Sequence, residues 1–172
     1  DLQTVTERAD LAKTVIAYVG DGNNVANSLL NAIAVLGGEL RLATPATHQP
    51  ALQVRHRARE LARRSGARIT WTPDPAEAVR GAHFVYTDVW TSMGQESESE
   101  RRKALFEPFQ LSARLLRHAP EAWVMHCLPA HRGEEITDEV LDGPRSIVFD
   151  QAENRLHVQK AILERLLAGG GR

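Results

Sequence analysis

Only one cysteine, Cys127, occurs in 172 residues, so neither an intramolecular disulfide framework nor a multi-cysteine zinc cage can form. An excess of either charge sign is lacking too. Lys and Arg number 21 against 22 Asp and Glu, a formal net charge of −1, which argues against a strongly basic nucleic-acid binder and an acidic disordered tail. No apolar run is suited to a membrane span. The longest uncharged stretch, Gly22 to Gly38, carries Asn23, Asn24, Asn27, Ser28 and Asn31. The opening residues show no signal-peptide pattern. The chain starts at Asp1 rather than Met, so the native N-terminus is expected to lie upstream. What is present is 42% hydrophobic and 25% charged, the composition of an ordinary globular domain with a sizeable core.

Apolar, β-rich runs alternate with amphipathic helical stretches, the pattern of βαβ units. Strands are expected at Thr14 to Val19, Leu40 to Ala43, Arg68 to Thr72, His83 to Thr87 and Trp123 to His126, with Ser146 to Phe149 as a candidate sixth. Helices are expected over Val25 to Leu36, Ala51 to Ser65 (with a basic face), Asp74 to Arg80, Arg101 to Phe106, Gln110 to His118 and Gln151 to Leu167. Val89 to Glu100 reads as a long Ser-, Glu- and Gly-rich connection whose Trp90 and Met93 suit a lid over a ligand. Gly169 to Gly171 reads as a flexible tail. With no internal repeat and no linker, residues 1–172 form one domain: α/β, a doubly wound, mostly parallel sheet of about five strands with helices on both faces, Rossmann-like.

Ligands of such sheets bind outside the carboxyl ends of the strands. Three polar clusters fall there: Gly20-Asp21-Gly22-Asn23-Asn24, Asp88 through Gly94, and His126-Cys127-Leu128-Pro129. The first matches two glycines of a dinucleotide fingerprint, but Val25 replaces the third and the second strand ends Ala43-Thr44-Pro45 without the ribose-binding acid, which argues against a nicotinamide nucleotide. A helix start there suits an anion such as a carboxylate. One of Asn23 and Asn24 caps that helix, which leaves the other free for a ligand. Asp88 beside Ser92 suits an ammonium group. For Cys127 three readings stand open. It could be a nucleophile with His126 or His131 as base, a zinc ligand with those two histidines, or an inert core thiol.

In chain order, Gly20-Asp21-Gly22-Asn23-Asn24, Asp88-x-Trp-x-Ser92-Met93-Gly94-Gln95-Glu96, His126-Cys127-Leu128-Pro129-Ala130-His131-Arg132-Gly133 and Ala152-Glu153-Asn154-Arg155 resemble the ornithine carbamoyltransferase family over nearly the whole chain, in its C-terminal, ornithine-binding domain. The resemblance implies transfer of the carbamoyl group of carbamoyl phosphate to the side-chain amine of L-ornithine, giving citrulline and phosphate in arginine metabolism. It implies that Asn24 binds the ornithine carboxylate, and that Asp88 and Ser92 hold the α-amino group with the backbone of Met93. Cys127 would lie beside the attacking amine and help to receive its proton. Cys127 and Leu128 would contact the carbamoyl group through backbone carbonyls, and Arg155 would face the carbamoyl phosphate oxygens. The implied chemistry needs no metal, no organic cofactor and no covalent enzyme intermediate.

The family's Ser-x-Arg-Thr and His-Pro-x-Gln segments do not occur among these residues. Asp1-Leu2-Gln3-Thr4 resembles the helix that enters the second domain. The expectation is therefore the ornithine half of an enzyme without its N-terminal carbamoyl-phosphate domain. The full-length enzyme would be a homotrimer or a multiple of trimers, built chiefly through the other half. Cytoplasmic placement is expected, with neither nucleic acid nor membrane as partner. The competing expectation is a non-catalytic amino-acid-binding or regulatory module on the same fold.

Overall fold

The computed structural model describes residues 1–91 and 99–168. Five parallel strands form one sheet in the order β3-β2-β1-β4-β5. They are β1 (Val15–Val19), β2 (Glu39–Ala43), β3 (Arg68–Thr72), β4 (Phe84–Thr87) and β5 (Trp123–His126). The helices are α1 (Leu2–Thr6), α2 (Asn24–Leu36), α3 (Leu52–Ser65), α4 (Pro75–Val79), α5 (Ser99–Phe106), α6 (Ala113–Leu116), α7 (Asp138–Leu141) and α8 (Val148–Ala168). None of the described helices is long and apolar enough to cross a membrane. The expected Gly169 to Gly171 tail lies outside the described residues.

The period of two along each strand divides the core. Ile16, Tyr18, Phe84, Tyr86 and Met125 pack with α2, α3 and Val5 on one face. Ala17, Val19, Val85 and Val124 pack with α4, Phe106, Phe109 and α7 on the other. A sheet covered on both faces needs strands that are apolar throughout, and β4 is buried at every position. The chain runs outward from β1 through β2 to β3, then returns across β1 and β2 by α4 to start β4 on the far side of β1. The topological switch point is thus between β1 and β4.

Register then decides what meets at that edge. Val19 pairs with Thr87, and Thr87 with His126. The residues that follow these three, Gly20, Asp88 and Cys127, therefore leave the sheet in one row.

The glycine turn is a matter of space. A side chain on Gly22 would lie 2.4 Å from the His48 carbonyl oxygen and the Pro50 nitrogen. The Gly22 N–H donates to the His48 carbonyl at 2.8 Å. The close approach that a dinucleotide fingerprint reserves for a pyrophosphate is taken here by the chain's own backbone.

Three expectations need correction. Ser146 to Phe149 is not a sixth strand: Ser146 makes a single parallel bridge to Val124, and α8 begins at Val148, three residues before the expected Gln151. Ile147 and Val148 are buried on opposite faces of the sheet, so the alternation that suggests a strand comes from a chain passing over the sheet edge. The helix expected from Gln110 starts later, at Ala113 behind the Ser112 cap. Leu111 bridges Ile136, and the Gln110 amide donates to the carbonyls of Gly133 and Glu134, which hold this stretch extended. Trp90 is 3% exposed and stacks on Phe106 with centroids 5.9 Å apart, so it is core and not part of a lid. Its bulk fills the space where the chain leaves β4. Residues 92–98 of the expected lid lie outside the described residues.

Gly22→Ala is expected to destabilise the fold by about 1–3 kcal/mol, since backbone rather than a flexible side chain must give way. A urea midpoint equal to that of the parent would contradict this packing.

Candidate active site

Asp88 is 5% exposed, and each of its carboxylate oxygens is occupied. Oδ2 accepts from Asn23 Nδ2 at 2.7 Å. Oδ1 accepts from the Val89 N–H at 2.8 Å and from the Cys127 thiol at 2.9 Å. The clusters that follow β1, β4 and β5 thus meet on a single carboxylate. Asn23 serves two purposes. Its Oδ1 caps α2 by accepting from the N–H groups of Val25 and Ala26, while its amide nitrogen reaches Asp88. That resolves the asparagine doublet: Asn23 is the cap, and Asn24 opens α2 with its side chain exposed. Beneath this row lie Tyr18 and Tyr86, edge to face at 5.9 Å. Burial holds both phenols well above their ordinary pKa, helped by the negative charge of Asp88.

Burial, together with the hydrogen bond to Asp88, pushes the Cys127 thiol up to about 12. At neutral pH it is a neutral donor to a carboxylate. A covalent nucleophile or a zinc ligand needs the thiolate, and neither reading suits this environment. The histidines are also engaged elsewhere. His126 is fully buried; its Nδ1 accepts from the Leu128 N–H at 2.8 Å, so its proton sits on Nε2, which donates to Glu135 Oε1 at 3.0 Å. The same oxygen accepts from the His131 N–H at 2.6 Å. His126 and Glu135 therefore shape the backbone turn after Cys127 rather than supply a base to it. That turn contains Leu128 at φ 52, a conformation rarely adopted by a branched side chain, and a cis Leu128–Pro129 bond. Among the described residues, His131, Glu134 and Glu135 place ligand-type atoms within 4.8 Å of one another, but Cys127 is not among them and Glu134 pairs with Lys103 at 2.9 Å.

A cleft of about 1070 Å³ opens beside this row. Cys127, Leu128 and Pro129 form its floor; Ser28, Leu29 and Ala32 of α2 form one wall, and Gln151 and Arg155 of α8 form another. Of the residues singled out in the sequence, Asp88 and Cys127 are bonded to each other. Leu128 and Arg155 line the cleft with Cys127, and Asn24 follows directly on the residue that holds Asp88. Ser92 and Met93 lie outside the described residues.

The roles of four residues escaped the sequence reading. Asn23 and Gln151 were legible only as a cap and a helix residue. Glu135 is charged and fully buried, which nothing in Gly133-Glu134-Glu135 announces. Arg102, within Arg101-Arg102-Lys103, reads as solvated but is buried. It donates to the Trp90 carbonyl at 2.7 Å, pairs with Asp21 and lies over the Phe106 ring at 5.1 Å. It ties the exit from β4 to the glycine turn.

A parallel sheet with one hydrogen-bonded polar row at its switch point and a cleft alongside defines a small-molecule-binding α/β domain. The family model described as aspartate/ornithine carbamoyltransferase, Asp/Orn binding domain, matches residues 12–166, and the chain belongs to that family. It is 57% identical over 171 residues to an ornithine carbamoyltransferase of Gloeobacter violaceus, covering 98% of the chain and 55% of the relative. With one from Archaeoglobus fulgidus it shares 53% over 169 residues, 97% of the chain and 54% of the relative. The ornithine carbamoyltransferase structure from Pyrococcus furiosus superposes with a TM-score of 0.87 at 49% identity, over 92% of this chain and 51% of that one. The chain spans about half the length of the curated relatives it matches.

The raised thiol carries a pH prediction. The ordinary thiol pKa is 9.0, and the folded value is about 12. The protonated thiol thus contributes stability that is complete below about pH 9 and lost as pH rises toward 12. Cys127→Ala should flatten this alkaline limb of the stability curve. Asp88→Asn removes the charge that opposes ionisation, so Cys127 should alkylate faster at pH 8.5 in that variant than in the parent. Equal alkylation rates would contradict the Cys127–Asp88 bond.

Proposed function

We propose that this chain provides the ornithine-binding side of an ornithine carbamoyltransferase, which joins the carbamoyl group of carbamoyl phosphate to the side-chain amine of L-ornithine and releases phosphate. The observation that carries this reading is that Cys127, on the cleft floor, donates its thiol hydrogen to the buried Asp88 carboxylate.

The amine attacks only when neutral, and its nitrogen must shed a proton as the new carbon–nitrogen bond forms. A thiol held near 12 is a poor source of thiolate at neutral pH. Its sulfur lone pairs, however, can accept a hydrogen bond from the amine while its S–H points to Asp88. In the proposed step a proton passes from the amine nitrogen to the sulfur as the thiol proton passes to Asp88 Oδ1. Cys127 ends as a thiol, Asp88 carries the proton, and the phosphate leaves with the electrons of the broken carbon–oxygen bond. Asn24, at the positive end of α2, binds the ornithine carboxylate. Asp88 and Ser92 hold the α-amino group, with the backbone of Met93. Fixing that end of the substrate places the distant amine, and such positioning supplies much of the rate. The carbonyls of Cys127 and Leu128 receive the carbamoyl N–H groups. Arg155, on the cleft wall, presents a planar fork to the phosphate oxygens.

The proposed partner of this unit is a carbamoyl-phosphate domain carrying the Ser-x-Arg-Thr and His-Pro-x-Gln segments, with assembly into trimers through that domain and residence in the cytoplasm. The test is citrulline formation at saturating ornithine and carbamoyl phosphate. The 172-residue chain alone is expected to form none, because the Ser-x-Arg-Thr and His-Pro-x-Gln segments are not among its residues and Arg155 alone cannot orient carbamoyl phosphate. Joined to the remainder of the Gloeobacter violaceus relative, it is expected to turn over, and Cys127→Ala to lose about 10²-fold or more. Substantial turnover by the chain alone would contradict the division of labour. Ornithine binding without any turnover in the joined protein would identify a non-catalytic amino-acid-binding module instead.

A further inference from the structure

We propose that Gln151 is a positioning residue that stands in for a missing strand beside Cys127 and fixes the spacing between Cys127 and Arg155. The argument begins at the sheet edge. β5 is the last strand in the order, so alternate N–H groups on its outer side have no strand to pair with. The first of these, on Val124, donates to the Arg145 carbonyl at 2.8 Å, and the Ile147 N–H returns a bond to the Val124 carbonyl at 3.0 Å. There the would-be sixth strand stops, because the chain turns into α8. The next outward N–H, on His126, is buried and would be orphaned. It donates instead to Gln151 Oε1 at 3.0 Å.

The same side chain has a second hold. Gln151 Nε2 donates to Asp1 Oδ1 at 2.8 Å, and the other oxygen of Asp1 accepts from the Tyr86 hydroxyl at 3.2 Å. Gln151 is 3% exposed, and its bond to the His126 N–H is buried away from bulk water. One amide therefore joins the residue before Cys127, the start of α1 and α8. Arg155 is one helical turn further along α8, on the same side as Gln151, and both line the cleft with Cys127 and Leu128. The bond to His126 thus determines how far along β5 the helix sits, and so where the Arg155 guanidinium meets the cleft floor. The ornithine end of the site does not depend on it. Asn24 rides on α2, and Asp88 is held independently by Asn23 and by the Val89 N–H.

The inference rests on the carbamoyltransferase reading for its kinetic consequence but not for its structural one, and two readouts on the joined protein, this chain fused to the remainder of the Gloeobacter violaceus relative, separate them. Gln151→Met keeps the length of the side chain and removes both bonds, leaving the His126 N–H unpaired. Cys127 alkylation at pH 8.5 is expected to rise about ten-fold as the Cys127–Asp88 contact loosens. The KM for carbamoyl phosphate is expected to rise about ten-fold while that for ornithine stays within about two-fold. Gln151→Glu retains the acceptor for His126 and, paired with Asp1→Asn so that an amide rather than a second carboxylate faces it, should bring both readouts back to within about three-fold of the parent. Gln151→Asn, one methylene shorter with its amide intact, serves where the methionine variant does not fold and should move both readouts in the same direction as Met. Faster alkylation in a protein that makes no citrulline would uphold the positioning role and overturn the functional reading. Unchanged alkylation with unchanged KM values, or equal losses in the Met and Glu variants, would overturn the positioning role.

Discussion

The Asp88 carboxylate is the constraint on which the site depends. A carboxylate buried at the end of a central strand is costly unless donors surround it. Here the donors arrive from three separate stretches of chain: the Asn23 amide, the Val89 N–H and the Cys127 thiol. Hydrogen bonds to a charged group contribute roughly 1.5–3 kcal/mol each, so the arrangement holds the ends of β1, β4 and β5 together beside the cleft. It also contributes to the state of the thiol. Burial first, and then the carboxylate that holds Cys127 in place, keep the thiol protonated, and a protonated sulfur can hand protons on without attacking carbon itself.

Around that row the backbone is held by groups outside the cleft chemistry. His126 and Glu135 use their buried polar atoms on the N–H groups of Leu128 and His131, which maintains Leu128 in its left-handed conformation. On the opposite flank Arg102 binds Asp21 and the Trp90 carbonyl, so the stem of the segment after β4 cannot drift from the glycine turn. Burial raises the Asp21 pKa and the Arg102 charge opposes that rise, the usual balance for a buried ion pair. Breaking such a pair leaves an uncompensated charge, so Arg102 is needed to keep Trp90 and the glycine turn together.

Gly20-Asp21-Gly22 illustrates how little a short motif says apart from its surroundings. Its glycines occupy the place of a nucleotide fingerprint on a Rossmann-like sheet, yet Gly22 makes room for His48 to Pro50 rather than for a pyrophosphate. The fold supplies a switch point; the residues around it select the ligand class.

Alternating apolar runs and helical periods were sufficient for the five strands, their parallel arrangement and the edge where chemistry gathers, because these patterns record which faces are buried. The family was equally legible, since its motifs are runs of neighbouring residues. The sequence also singled out Asp88, Cys127, Leu128 and Arg155. Pairings between distant residues had no such local trace. That Asn23 rather than Asn24 caps α2 and holds Asp88, that Trp90 is core, that Ser146 to Phe149 turns into a helix and that Gln151 takes the His126 N–H were decided only by tertiary structure. A polar side chain has the same sequence whether it faces water or a buried donor, and only the register of the strands and the seat of α8 on the sheet edge determine which.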